Sequence, residues 1–130
     1  MIVVDASALL EVLLNTAAAS RVGERLFGSC ETLHTPRLID VEVAQVLRRY
    51  ERAGTLTASR AEEVLDDLSD LRIVRYPHEF LLDRVWTLRR DLTAYDAVYL
   101  ALAEALDATL VTRDTVFASV RRHGARVELI

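Results

Sequence analysis

The sequence predicts an α/β chain built on a parallel sheet, and three observations predict it. The chain opens on Ile2-Val3-Val4, a β-branched run that stops at Asp5, which reads as a buried strand delivering a carboxylate to the edge of a sheet. The same grammar returns at Thr109-Leu110-Val111-Thr112-Arg113-Asp114. Elsewhere amphipathic stretches alternate with short apolar ones, the pattern of strands joined by helices. In an open parallel sheet, ligands bind outside the carboxyl ends of the strands, so acids at two such ends can converge although the chain separates them widely.

The elements follow in order. After the first strand, residues 6–14 carry Ala6, Leu9, Leu10, Val12, Leu13 and Leu14 and read as a short buried helix. A second helix is expected over residues 17–27, closed by Gly28, and residues 31–34 read as a strand. Thr35-Pro36 reads as a helix opening, with Thr as N-cap and Pro in the first helical position. The helix it opens runs to residue 53, before Gly54, and places Ile39, Val43, Val46, Leu47 and Tyr50 on one face. Glu42 then stands at one border of the apolar stripe, where a carboxylate can look into a cleft, and Asp40 at the other.

A further helix, opening at Thr57 or Ser59 and ending near Leu71, carries Glu62, Glu63, Asp66 and Asp67 as a solvated face. Residues 72–76 are a third strand ended by Pro77, and residues 79–91 a helix containing Trp86. Thr93 opens a helix over residues 94–106 that is apolar almost all round and therefore expected to be central and buried. A strand at 109–111, a short helix at 114–123, a turn at Gly124 and a strand at 126–129 complete the chain.

With 130 residues and 52% hydrophobic composition, the expectation is one domain around one core. The lone Cys30 has no partner for an intramolecular disulfide, no signal-like start precedes Asp5, and no apolar run approaches the roughly 20 residues of a membrane span. A cytoplasmic protein without membrane contact is expected. All sixteen basic residues are Arg. The absence of Lys excludes a phosphate loop of the GxxxxGK type and any Schiff-base chemistry. A net charge of −4 argues against coating nucleic acid by bulk charge, while leaving room for a local basic rim.

Asp5, Glu42, Asp96 and Asp114 stand out, although each has an ordinary structural explanation. Asp5 and Asp114 fit N-caps, Thr93-Ala94-Tyr95-Asp96 fits a capping box, and Glu42 fits a surface residue paired with Arg48 or Arg49. Together they fall where an alternating chain brings strand ends and helix starts to one crevice. Ionised carboxylates gathered there repel by about 4 kcal/mol per close pair at an effective dielectric of about 20, so such a cluster needs a cation. Oxygen ligands alone favour a hard ion, Mg²⁺ or Mn²⁺, over Zn²⁺. His34, His78 and His123 lack metal-ligand spacing and read as surface or edge residues. An ion with open positions for water suits phosphoryl chemistry, and Ser7 and Thr112 stand near enough to orient a metal-bound water or to cap.

MIVVDASALLEVLL, PRLIDVEVAQVLRR, AYDAVYLALAEAL and LVTRDTVF resemble, in order and spacing, the PIN-domain ribonucleases, specifically the VapC-type toxins of toxin–antitoxin pairs. By position the family's acidic quartet falls on Asp5, Glu42, Asp96 and Asp114, with Thr112 matching the polar residue that accompanies the last acid. The resemblance implies a three-layer α/β/α sandwich around a mainly parallel sheet of four to five strands, and Mg²⁺- or Mn²⁺-dependent RNA cleavage by a metal-activated water. It also implies homodimerisation and inhibition by a small antitoxin.

RNA would then be held by arginines, which bind phosphates bidentately and stack on unpaired bases. Arg113 beside Asp114 is the preferred candidate, with Arg48, Arg49 and Arg52 on the Glu42 helix and Arg121 and Arg122 beyond the last acid. Tyr95 is expected to pack beside the site, as a core residue and not as a stacking platform. Two other acidic α/β families fall to single positions. A phosphoaspartate receiver needs a Lys, and a haloacid-dehalogenase-like phosphatase needs an Asp where Ser7 stands. A PIN-like nuclease of RNA processing or of DNA, and a non-catalytic interaction module, remain as alternatives.

Overall fold

The apolar runs pair side by side in one sheet. The computed structural model, which describes residues 1–130, has five strands: β1 (Ile2–Val4), β2 (Leu33–Pro36), β3 (Ile73–Tyr76), β4 (Thr109–Thr112) and β5 (Arg126–Leu129). All pair in parallel, in the order β3-β2-β1-β4-β5. Parallel neighbours need crossovers, and helices supply most of them: α1 (Ala6–Leu13), α2 (Ala19–Phe27), α3 (Leu38–Arg52), α4 (Ala58–Asp70), α5 (Leu82–Thr87) and α6 (Ala94–Ala105).

Alternation along the strands assigns the layers. Ile2 and Val4 of β1 join Val111, Leu33 and Ile73 on one face, under α1 to α4, while Val3 and Leu110 meet α5 and α6 on the other. The result is the expected three-layer α/β/α sandwich, with β1 fully buried at its centre. Residues 97–103 of α6 are all buried, as their unbroken apolar character predicts, and Glu62, Glu63, Asp66 and Asp67 are exposed on α4. No helix is long and apolar enough to cross a membrane.

The chain steps outward from β1 to β2 and β3, then returns to lay β4 on the other side of β1. The strand order therefore reverses between β1 and β4, which opens a crevice outside their carboxyl ends. Asp5 leaves β1 there, and Asp114 follows β4.

Several local expectations are corrected. Thr35-Pro36 does not open α3 but ends β2, with Thr35 registered on Arg75 and Pro36 on Tyr76. The fully buried Thr35 hydroxyl donates to the Val4 carbonyl at 3.1 Å instead of capping, and α3 starts at Leu38 without a side-chain cap. Pairing on both sides of β2 outweighs a cap worth about 1 kcal/mol. The helix expected over 79–91 is a 3-10 turn at Glu79–Leu81, α5, and further turns to Asp91. Its apolar stripe, Leu81, Val85, Leu88 and Leu92, is buried throughout, so the stripe outlasts the helix that suggested it. The helix expected over 114–123 is a 3-10 turn, Thr115–Ser119, capped by Asp114.

Three side chains sit otherwise than expected. Tyr50 is exposed at the end of the α3 stripe, and Tyr95 is 63% exposed because it lies on the outer side of the first turn of α6. His34 is buried, bonded to Thr32 at 2.7 Å and to the Tyr76 hydroxyl at 2.9 Å. Burial lowers the pKa of its ring from the usual histidine value.

Candidate active site

Each acid is positioned by the element that begins or passes beside it. Asp5 caps α1 through a 3.1 Å bond from the Ala8 amide to Oδ1. The Ser7 hydroxyl also donates to Oδ1, at 2.8 Å, and the Thr112 hydroxyl to Oδ2, at 2.7 Å. Both hydroxyls accept in turn from the turn after β4: Ser7 Oγ from the Arg113 amide at 2.9 Å and Thr112 Oγ1 from the Asp114 amide at 2.9 Å. Asp5 is thus the knot that ties the end of β1 to the end of β4. Burial pushes its pKa up from the ordinary value, against the pull of the three donors, and the charge of Asp114 adds to the rise.

Asp96 lies on the first turn of α6. Thr93 caps the helix by accepting from the Asp96 amide at 3.2 Å, while its hydroxyl donates to Asp96 Oδ2 at 2.9 Å. Asp114, exposed, accepts from the Val116 amide at 2.9 Å. The capping readings of these acids are therefore correct, and they do not compete with a functional one. The bonds that cap these helix and turn starts also fix where each carboxylate lies.

Glu42 differs, because no helix start holds it. It is half-buried in mid-helix on α3 and accepts a hydrogen bond from the phenol of Tyr99 on α6, not an ion pair from Arg48 or Arg49. Burial raises the pKa of Glu42 and that of Asp96; Asp5 and Asp96 add to the first, Asp114 to the second. The charge couplings close a ring: Asp5 with Glu42, Glu42 with Asp96, Asp96 with Asp114, Asp114 with Asp5.

Each of the four predicted acids thus lies close enough to two of the others to feel their charge, with Asp5 and Asp114 at the strand-order reversal. None of the ion pairs in the molecule involves any of them. They are not drawn into a closed cage, since no three or more His, Cys, Asp or Glu side chains gather as a ready coordination set. An open, all-carboxylate donor set matches the way magnesium is held, through few protein oxygens and several waters.

The arginines divide. Arg49 lines an open groove of about 520 Å³ together with Ser7, Glu11, Glu42, Gln45 and Tyr50. Arg48, one residue earlier, lines a separate hollow between α3 and α4. The preferred candidate, Arg113, has its guanidinium engaged by Glu11 at 3.0 Å and by the Ile130 carbonyl at 2.8 Å. Its neighbourhood to Asp114 in sequence does not aim it at the site, because successive residues leaving a strand point apart. Arg52, Arg121 and Arg122 are exposed outside the groove.

Sequence reasoning missed Tyr99 and Glu11. A signal existed for the first: Tyr99 is three residues from Asp96 on the same helix face, and a tyrosine in a helix otherwise apolar all round needs a partner for its hydroxyl.

Residues 2–123 match the model of a family described as the PIN domain. A VapC ribonuclease of Mycobacterium bovis is 46% identical over 88% of this chain and 86% of its own length. Ribonuclease VapC12 of Mycobacterium tuberculosis is 36% identical over 100% and 99%. Among solved structures, a toxin–antitoxin complex from Klebsiella pneumoniae superposes with a TM-score of 0.69 at 19% identity, covering 92% of each chain.

Proposed function

This chain belongs to the PIN-domain family, among the VapC ribonucleases, and on that premise we propose that it is a single-domain, metal-dependent endoribonuclease toxin of a toxin–antitoxin pair. The observation that carries the reading is that Asp5, tied across β1 and β4 by Thr112, and the neighbouring Glu42, Asp96 and Asp114 have no cationic partner where the strand order reverses.

Asp5, Glu42, Asp96 and Asp114 are the residues that would hold Mg²⁺ or Mn²⁺. When bound, such an ion polarises a phosphate oxygen and lowers the pKa of a water enough for it to act as nucleophile near neutral pH. The chain's own part is placement. Ser7 and Thr112 fix Asp5, Thr93 fixes Asp96, and Arg49 on the wall of the groove meets the phosphate backbone of a single-stranded or looped RNA. Burial and the neighbouring carboxylates lift Glu42 and Asp96 in the ion-free chain, an unfavourable charge that a bound cation would offset.

An antitoxin covers this groove and offers the acids a guanidinium in place of the metal. The chain acts in the cytoplasm as a homodimer. An apolar surface supports that assembly: Leu82 and Tyr95 border a cleft with Leu38, while Val41 stands near one turn beyond Leu38 and Trp86 one turn beyond Leu82, all but Leu38 exposed.

Incubation of the purified chain with a mixture of structured RNAs and their DNA counterparts tests the function. Cleavage of RNA alone, abolished by chelation and restored by Mg²⁺ or Mn²⁺, is the expected result. Cleavage that persists in chelator, or cuts DNA equally, rejects it.

A further inference from the structure

Three of the four acids owe their position to a backbone amide or a cap at the start of their own helix or turn. Glu42 has no such local fixture. It sits in the second turn of α3, and a glutamate side chain there has three rotatable bonds and a wide groove to sample. Its one hydrogen bond comes from Tyr99, which is 57 residues away in sequence and lies in the opposite helical layer.

Tyr99 itself is not free to move. It is 2% exposed and packs in the α5–α6 core, with its hydroxyl reaching Glu42 on α3. A rigid donor against a flexible acceptor fixes the acceptor.

We propose that Tyr99 is a positioning residue: its phenol, held by the core of one layer, sets the orientation in which Glu42, carried by the other, offers its carboxylate to the metal. This rests on the nuclease reading of the same four acids. It makes the distance between the two helical layers part of the site, because α3 and α6 must sit in register for the bond to form.

The test is Tyr99→Phe, which removes one oxygen and leaves the ring to fill its place. Mn²⁺ affinity is read by calorimetry and RNA cleavage by single-turnover kinetics, for the native chain, Tyr99→Phe, Glu42→Gln and the double variant. Loss of a group that orients a metal ligand costs roughly 10 to 100-fold in affinity or activity. Tyr99→Phe is expected to lose that much in Mn²⁺ affinity, and to add nothing further in the Glu42→Gln background, since its effect passes through Glu42.

Unchanged Mn²⁺ affinity in Tyr99→Phe, or an equal loss with and without the Glu42 carboxylate, overturns the positioning role while leaving the nuclease reading intact. A native chain that binds no Mn²⁺ overturns both. A lower melting temperature shared by Tyr99→Phe in both backgrounds, with affinity unchanged, marks a purely structural hydroxyl and also overturns it.

Discussion

Two sets of carboxylates in this molecule have opposite surroundings. Glu104 on α6 receives Arg84 through two bonds of 2.7 and 2.8 Å and the Gly124 amide at 2.9 Å, and Glu31 receives Arg25 at 2.9 Å. These pairings hold both acids below their ordinary range. Asp5, Glu42 and Asp96 lie in the crevice with no arginine, and burial moves all three upward. Sixteen arginines were available. That none reaches the crevice acids, while Arg84, Arg25 and Arg75 neutralise acids elsewhere, separates charge that holds the fold together from charge kept uncompensated for a ligand.

The most severe way to break the contrast is to remove one crevice charge. Asp96→Asn keeps an oxygen for Thr93 and the helix cap, so the fold should survive. Cleavage of RNA should fall by more than the roughly 100-fold expected for losing a group that merely supports a ligand. Single-turnover rates with circular dichroism as the folding control measure it. Residual activity near the native rate would place the metal elsewhere.

Adding the missing cation probes the contrast from the other side. At a free Mn²⁺ concentration 100 times its Kd, the ion should stabilise the native chain by about 2.7 kcal/mol, seen as a rise of several degrees in Tm. Asp5→Asn should abolish most of that rise. Glu104→Gln, which touches a paired acid, should leave the rise intact while lowering the starting Tm.

The two sets should also respond to pH with opposite sign. Asp5 is raised in the folded state, so in ion-free buffer its cost is absent in acid and grows as pH climbs above its ordinary value of 3.8 through the folded pKa. Glu104 is lowered, so its contribution is full above its ordinary 4.5 and is lost as pH falls through the folded pKa. Urea midpoints from pH 3 to 8 in chelator should therefore show Asp5→Asn gaining on the native chain as pH rises. Glu104→Gln should fall behind it by about 1 kcal/mol, modest because Arg84 is 35% exposed and screened.

The amino-acid pattern made the sheet and the acids readable, Glu42 from the border of an apolar stripe and the other three from local fixtures. Ile2-Val3-Val4-Asp5 and Leu110-Val111-Thr112 are strands buried on both faces, so their apolar runs are unbroken, and the acids that end them are fixed by the strand that precedes them. Asp96 is fixed by the cap at Thr93, also local. What pattern could not supply was long-range. Thr35 abandoned a good local cap for the Val4 carbonyl, Arg113 turned to Glu11 and Ile130, and Tyr99 found Glu42 across the two layers. Each depends on which elements end up adjacent, a property of strand order and not of any window of sequence.

Arg48 and Arg49 give the finest test, because they differ by one residue and about 100° of helix. If the groove beside Ser7 and Glu42 is where the RNA backbone lies, Arg49→Ala should weaken substrate binding a few-fold. It should also reduce the slope of log affinity against log salt by about 0.7, the loss of one phosphate contact with a single strand. Arg48→Ala should change neither, since Arg48 lines the hollow beside α4 and not this groove. Fluorescence anisotropy of a labelled RNA over a salt series, with the Asp96→Asn background preventing cleavage, measures both. Equal slopes for the two variants would mean that the phosphate path does not follow the α1–α3 groove.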